Sequence, residues 1–213
     1  MLRSIMMHFR PLLFGVFLAV LGLSVAAAPV EAQDASASTE DEIQQMLEER
    51  DQEIKSILKG GGDYTPEQRE RLKELISGVI DFRIMAQTAL GSHWDTLSTA
   101  RRDTFVTVFR DVVRAQSMSD LDVYNSRVTF DQISVQGDSA FVRTTTEYEG
   151  SRTPVEYVLE RREDEWRAED IIVDEVSTAE GYARSFQSVI RKRGFDALMT
   201  SLERKRAEEE KTR

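Results

Sequence analysis

The sequence predicts an α+β protein with helices packed on one side of a curved, four-stranded antiparallel sheet. Two observations carry that reading. Apolar residues recur at helical spacing from Ile43 to Val113, alternate with polar ones from Val128 to Ala168, and return to helical spacing after Ser177. Turn-forming pairs cut the alternating stretch into four short runs. Helices that flank a meander, instead of alternating with its strands, are segregated to one face of a single sheet. A sheet of this kind curls around a hollow that the helices can roof.

The first helix carries Ile43, Met46, Leu47, Ile54, Ile57 and Leu58 and is stopped by Gly60-Gly61-Gly62. Thr65-Pro66-Glu67-Gln68 opens the second: a Thr N-cap, a proline in the first turn and a glutamine at the capping-box position. Its apolar residues are Leu72, Leu75, Ile76, Val79 and Ile80. Asp81 caps a third helix with Phe82, Met85, Ala86, Ala89 and Leu90 on one face, closed by Gly91. A short connection holds His93 and Trp94. Ser98 then caps a long helix whose stripe is Phe105, Val108, Phe109, Val112 and Val113.

Four strands follow. Their alternating residues are Val128 and Phe130, then Ala140, Val142 and Thr144, then Val155, Tyr157 and Leu159, then Trp166 and Ala168. Gly137-Asp138, Gly150-Ser151 and Glu163-Asp164-Glu165 supply the turns. Pro154 restricts the third run to a strand end or an edge at that point. Ser177-Thr178-Ala179-Glu180 has the pattern of a capping box and opens a helix carrying Tyr182, Ala183, Phe186, Val189 and Ile190. Arg191, Lys192 and Arg193 complement its dipole, and Gly194 ends it. A final short helix holds Phe195, Leu198 and Leu202, before a charged tail at 203–213 that is expected to fray.

The N-terminal end reads as an export signal, residues 1–32. Arg3 and Arg10 flank a short basic region, and the run from Leu12 to Ala28 is uncharged and almost wholly apolar. Val30-Glu31-Ala32 suits cleavage before Gln33; cleavage after Ala28 would leave Pro29 at the new terminus. The alternative, an uncleaved anchor, calls for about 20 apolar residues, slightly more than the run supplies. Residues 33–41 are small and polar and read as a disordered spacer, which leaves 42–202 as one domain.

Composition excludes several function classes. The chain contains no cysteine, and this removes disulfides, thiol nucleophiles, thiolate metal sites and an acylated N-terminus. With 28 basic and 38 acidic side chains the net charge is −10, and the loss of Arg3, Arg10 and Glu31 on processing makes it more negative. Such a surface is repelled by nucleic acid and by anionic head groups, so neither nucleic-acid binding nor strong direct membrane adsorption is expected.

Catalytic patterns are equally sparse. His93 is the one histidine after Gln33, with no zinc-type spacing, and neither GxSxG nor a phosphate-binding glycine loop occurs. Asp81 and Asp170 each border an apolar run; the first reads as a helix cap, the second as a bulge or an arginine's partner. An acid/base pair of the two is the enzymatic alternative. No catalytic residue, metal or cofactor is expected. The helical stripes hold more apolar surface than four short strands need, yet periodicity permits a solid core as well as a lined hollow.

Two blocks resolve that choice by resemblance. Residues 79–109, VIDFRIMAQTALGSHWDTLSTARRDTFVTVF, resemble the signature of the MlaC-type periplasmic phospholipid-binding (toluene-tolerance) family through Asp81-Phe82, Met85-Ala86, Ala89-Leu90-Gly91, Trp94, Arg102, Phe105 and Phe109. The second block runs from Pro154-Val155 through Tyr157, Leu159, Trp166, Asp170-Ile171, Val173, Val176-Ser177, Tyr182, Phe186 and Ile190 to Gly194. The chain departs from the pattern at Glu175, where a glycine is expected, at Thr178 and Ala183, and at Ala115-Gln116-Ser117-Met118, which replaces an aromatic-containing stretch.

The resemblance implies an apolar pocket enclosed between helices and sheet, and a periplasmic carrier that is not an enzyme. Its ligand would be a phospholipid, passed between an outer-membrane lipoprotein complex and an inner-membrane ABC transporter. The implied lining is Phe82 and Met85 on the third helix, and Phe105, Val108, Phe109 and Val112 on the long one. Val142 and Tyr157 come from the strands, and Tyr182, Phe186, Val189 and Ile190 from the helix after them. A monomer is expected. Carriage of another lipid, hopanoid or sterol-like, and a lipid-free adaptor or chaperone are the alternatives, and the basic patch at 191–193 is a candidate docking point for an acidic receptor.

Overall fold

The computed structural model describes residues 30–211, with side chains from 38 to 208. The export signal, apart from its last residues, lies outside the described residues. Seven α-helices and a five-stranded antiparallel sheet occur among them, in the order α1 (Val30–Leu58), α2 (Pro66–Ser77), α3 (Phe82–Leu90), α4 (His93–Thr96), α5 (Thr99–Ser117), β1 (Arg127–Gln136), β2 (Ser139–Tyr148), β3 (Ser151–Arg162), β4 (Glu165–Val173), β5 (Val176–Ser177), α6 (Thr178–Arg193) and α7 (Phe195–Lys211). The class is as expected; the strand count is not.

The fifth strand is two residues long, and alternation is invisible over so short a segment. Val173 pairs with Val176 and Ile172 with Ser177, so the chain turns through Asp174-Glu175 before it enters α6. Two other differences lie at the ends. Residues 33–41, read as a spacer, are helical backbone within α1, and the tail expected to fray continues α7 to Lys211. An amphipathic helix that is already nucleated propagates through polar residues at little cost.

Local signals place the helix starts. Thr65 and Gln68 exchange both bonds of the capping box, Asp81 accepts from the Arg83 and Ile84 N–H groups, and the Ser98 and Ser177 hydroxyls accept from Arg101 and Glu180. The strands form a meander in the order β1-β2-β3-β4-β5, open at both edges. Register shifts beside Asp131 in β1 and Glu169 in β4 insert one extra residue each, which bends the sheet. The segment after α2 shields one edge: Ala168 N–H donates to Val79 O at 2.7 Å, and Asp81 N–H donates to Ala168 O at 2.8 Å.

Helix α1 crosses two cores. Ile43, fully buried, packs with Val79 and the sheet residues Ala140, Val142, Leu159, Trp166 and Ala168. One end later, Ile54 and Leu58 pack on Leu72 and Leu75 of α2. The third core lies among α3, α5, α6 and α7.

Candidate functional site

The helical residues of the expected lining come together, but against one another. Phe82, Met85, Phe105, Val108, Phe109, Val112, Phe186 and Ile190 share one buried cluster, with Tyr182 and Val189 half-buried against it. Phe105 and Phe109 stack at 5.7 Å between centroids, and Phe186 stands edge-on to them at 6.0 and 5.6 Å. Tyr182 meets Phe109 edge-on at 4.9 Å, and Phe82 does so at 6.4 Å. Edge-on and offset rings oppose negative faces to positive edges, each pair adding roughly 0.5–1.5 kcal/mol to the area it buries. Met85, Phe105 and Phe109 are fully buried, so they lend the site rigidity and little surface.

The two strand residues belong to the sheet cluster. Val142 is fully buried and Tyr157 is half-buried. The register joins Ile133, Val142, Tyr157 and Ile171 in one row across four strands, and Phe130, Thr144, Val155 and Val173 in the next. Coverage differs along this inner face. Towards Leu159 and Ala168, which are 1% and 0% exposed, Ile43 and Val79 close the face. At the opposite end Phe130, Val155 and Ile171 stay half-buried, Val173 is 43% exposed and Val176 beside it 55% exposed. The result is an apolar face, sheltered at one end and uncovered at the β4–β5 turn.

Tyrosines supply polar groups beside all three apolar clusters. The Tyr182 hydroxyl donates to Gln116 Oε1 at 3.0 Å, across from the first turns of α6 to the last turn of α5. Burial pushes the Tyr157 phenol up to about 12, helped by the Asp51 carboxylate. Tyr124 is likewise pushed up to about 12 by burial, then by Tyr157 and Asp120. Burial also raises Tyr182. All three phenols therefore stay neutral at physiological pH and act as hydrogen-bonding, amphipathic surfaces.

The carboxylates considered for acid/base work have structural posts. Asp81 caps α3 and lies 3.4 Å from Arg162 Nε. Asp170 joins the bulged part of β4 to the start of α6, accepting from Ile171 N–H, Ala179 N–H and the Ser177 hydroxyl. His93 opens the four-residue α4, where its carbonyl accepts from the Thr96 hydroxyl. Arg191, Lys192 and Arg193 are exposed at the end of α6.

A separate cleft of about 580 Å³ lies between α1, α2 and the β3–β4 turn. Glu49, Arg50, Glu53, Arg71 and Arg167 dominate its walls, and such a lining suits no acyl chain. Arg50 and Arg167 there serve the end of α2, donating to the Leu75 and Gly78 carbonyls at 3.3 and 2.6 Å. Gln116, Ile133 and Ile171 are absent from the lining that the sequence implies. Gln116 carried a readable signal, since it extends the Phe105–Phe109–Val112 stripe by one more turn with an amide.

Comparison with known proteins places this arrangement. Residues 38–204 match the family described as MlaC protein. A solved structure of the phospholipid-binding protein from Ralstonia solanacearum, in complex with a phospholipid, superposes with a TM-score of 0.64. It is 20% identical, and the likeness covers 78% of this chain and 97% of that one. No curated protein matches.

Proposed function

The chain belongs to the MlaC family, and on that premise we propose that it is a phospholipid carrier of the periplasm. The acyl chains lie against the inner face of the sheet, and the aromatic helix cluster forms the opposing wall. The observation that carries this reading is the row of Phe130, Thr144, Val155 and Val173, in which Thr144 is buried, Phe130 and Val155 are half-buried and Val173 is exposed, beside half-buried Tyr157 and Ile171. Apolar surface left uncovered in register across the strands is costly unless something apolar occupies it.

The energetics suit a carrier. Each methylene kept from water is worth roughly 0.8 kcal/mol, so a two-chain lipid crosses an aqueous gap only with both tails sheltered. Binding of this kind needs no bond-making group, in keeping with the structural posts of Asp81 and Asp170. The phospholipid complex of the Ralstonia protein, on a similar fold, supports the choice of ligand. Export of a monomer by the leader at 1–32, and delivery between an outer-membrane lipoprotein complex and an inner-membrane ABC transporter, complete the proposal. The acidic exterior keeps the loaded carrier off anionic bilayers until a partner receives it.

The test is direct. Protein purified without detergent is extracted with organic solvent and the extract is analysed by mass spectrometry. Diacyl phospholipid at near-stoichiometric amount is the expected result; a lipid-free extract, with no binding of added phospholipid, overturns the proposal.

A further inference from the structure

Gln116 is an amide on an apolar stripe. It continues the Phe105, Phe109 and Val112 stripe into the last turn of α5, where it is half-buried. Its oxygen is satisfied, since Oε1 accepts from the Tyr182 hydroxyl at 3.0 Å. Its two N–H donors have no acceptor among the described residues. Tyr182 in turn is held by rings, edge-on to Phe109 at 4.9 Å and tilted against Phe186 at 5.4 Å. The amide is thus oriented by a fixed phenol, and the donors face away from it.

The place of this pair matters. Ser177, the N-cap of α6, pairs with Ile172 at the uncovered end of the sheet. Tyr182 lies five residues further along α6, roughly 7.5 Å along the axis. Tyr182 and its Gln116 partner therefore belong to the end of α6 that follows the β4–β5 turn, where Val173 is 43% exposed. A ligand that fits has long apolar chains and, at one end, acceptor oxygens.

We infer that the Gln116 amide, positioned by Tyr182, is the polar recognition element of the lipid seat and donates to an acceptor oxygen in the glycerol–phosphate region of a diacyl phospholipid. The inference rests on the carrier reading above and adds the residue that selects the ligand. Two oxygens carry the same acceptor chemistry, the ester carbonyl and the phosphate, and the Gln116 donors reach one of them.

The experiment measures dissociation constants of the delipidated full chain, wild type and Gln116→Leu, for three lipids of equal chain length: ester-linked phosphatidylglycerol, its ether-linked analogue, and diacylglycerol. Wild type is expected to prefer the ester lipid three- to tenfold over the analogue lacking the acceptor it uses, the range of one hydrogen bond. Loss over the ether analogue identifies the carbonyl, and loss over diacylglycerol the phosphate. Gln116→Leu is expected to retain binding and lose that preference, and Tyr182→Phe to weaken it. Equal binding of all three lipids by wild type, or an unchanged preference in Gln116→Leu, overturns the inference while leaving the carrier intact. Failure of wild type to bind any of the three overturns the carrier reading itself, and the inference with it.

Discussion

The Asp170 carboxylate accepts the Ser177 hydroxyl at 2.5 Å, and through this contact the bulged strand β4 holds the first residue of the turn into α6. Its second oxygen takes the N–H groups of Ile171 and Ala179, both at 2.9 Å. One side chain therefore serves a bulge, a strand end and a helix start. Asp170→Ala is expected to lower unfolding free energy by about 2–3 kcal/mol, and Ser177→Ala by about 1 kcal/mol. Urea denaturation of the two variants and their double mutant checks both values. The double is expected to fall short of the sum, because the partners share the interaction.

Phe109 and Val173 separate stability from binding. Phe109 is fully buried among Phe82, Phe105, Tyr182 and Phe186, so Phe109→Ala costs about 3–5 kcal/mol of stability. Val173 is 43% exposed, and Val173→Asp is expected to shift stability by no more than about 0.5 kcal/mol. The same substitution puts a charge on the uncovered end of the apolar face. A several-fold fall in retained phospholipid, read by quantitative lipid extraction beside an unchanged melting curve, is the expected pair of results.

The β4–β5 turn carries backbone strain. Asp174 and Glu175 have φ of 50° and 64°, in the left-handed region that a β-carbon disfavours. Glu175→Gly is expected to raise stability by about 0.5–1 kcal/mol, since glycine adopts this conformation without the steric penalty. A rise in the denaturation midpoint with an unchanged slope is the measurement that checks it.

Alkaline pH should act through the buried phenols. Tyr124 and Tyr157 both rise from 10.0 to about 12 in the folded protein. The native state holds these protons more tightly than the unfolded chain does. Their contribution is therefore complete below about pH 10 and is lost as pH climbs from 10 towards 12. The expected loss is on the order of 1–2 kcal/mol per tyrosine across that window. Melting temperatures taken at pH 9 and pH 11.5 should converge in Tyr157→Phe relative to wild type.

Much of the fold was legible because its signals are local. The caps at Thr65, Asp81, Ser98 and Ser177 satisfy N–H groups two or three residues away, so the sequence window that contains them contains the whole interaction. Period-two alternation located β1 to β4 for a similar reason, as successive side chains take opposite faces whatever the partner strand. The two-residue β5 gave no such signal, and its existence depends on pairing with Ile172 and Val173. The C-terminal end of α2 was likewise unreadable. Its last turn has no basic residue, and the arginines that serve its carbonyls come from α1 and β4.

The candidate site divides along the same line. Family blocks pointed to Phe105, Phe109, Tyr157, Tyr182 and their neighbours, all of which lie in the two apolar clusters. Which of them fill a core and which border an uncovered face was not readable. Phe105 and Tyr157 occupy equivalent places in their own periodic patterns, yet one is fully buried and the other half-buried.

The sequence by itself determined the α+β class, the starts of the main helices, the turns of the meander and a chemistry without thiols. These follow from hydrogen bonds and periodicities that span a few residues. Only the tertiary structure decided that Phe105, Phe109 and Phe186 close on one another, that the row ending at Val173 stays partly uncovered, and that Gln116 meets Tyr182 across 66 residues of chain. Coverage is set by how far each helix reaches over the sheet, which depends on the register of β1 to β4 and the two bulges that bend them. No short window of sequence contains that distance.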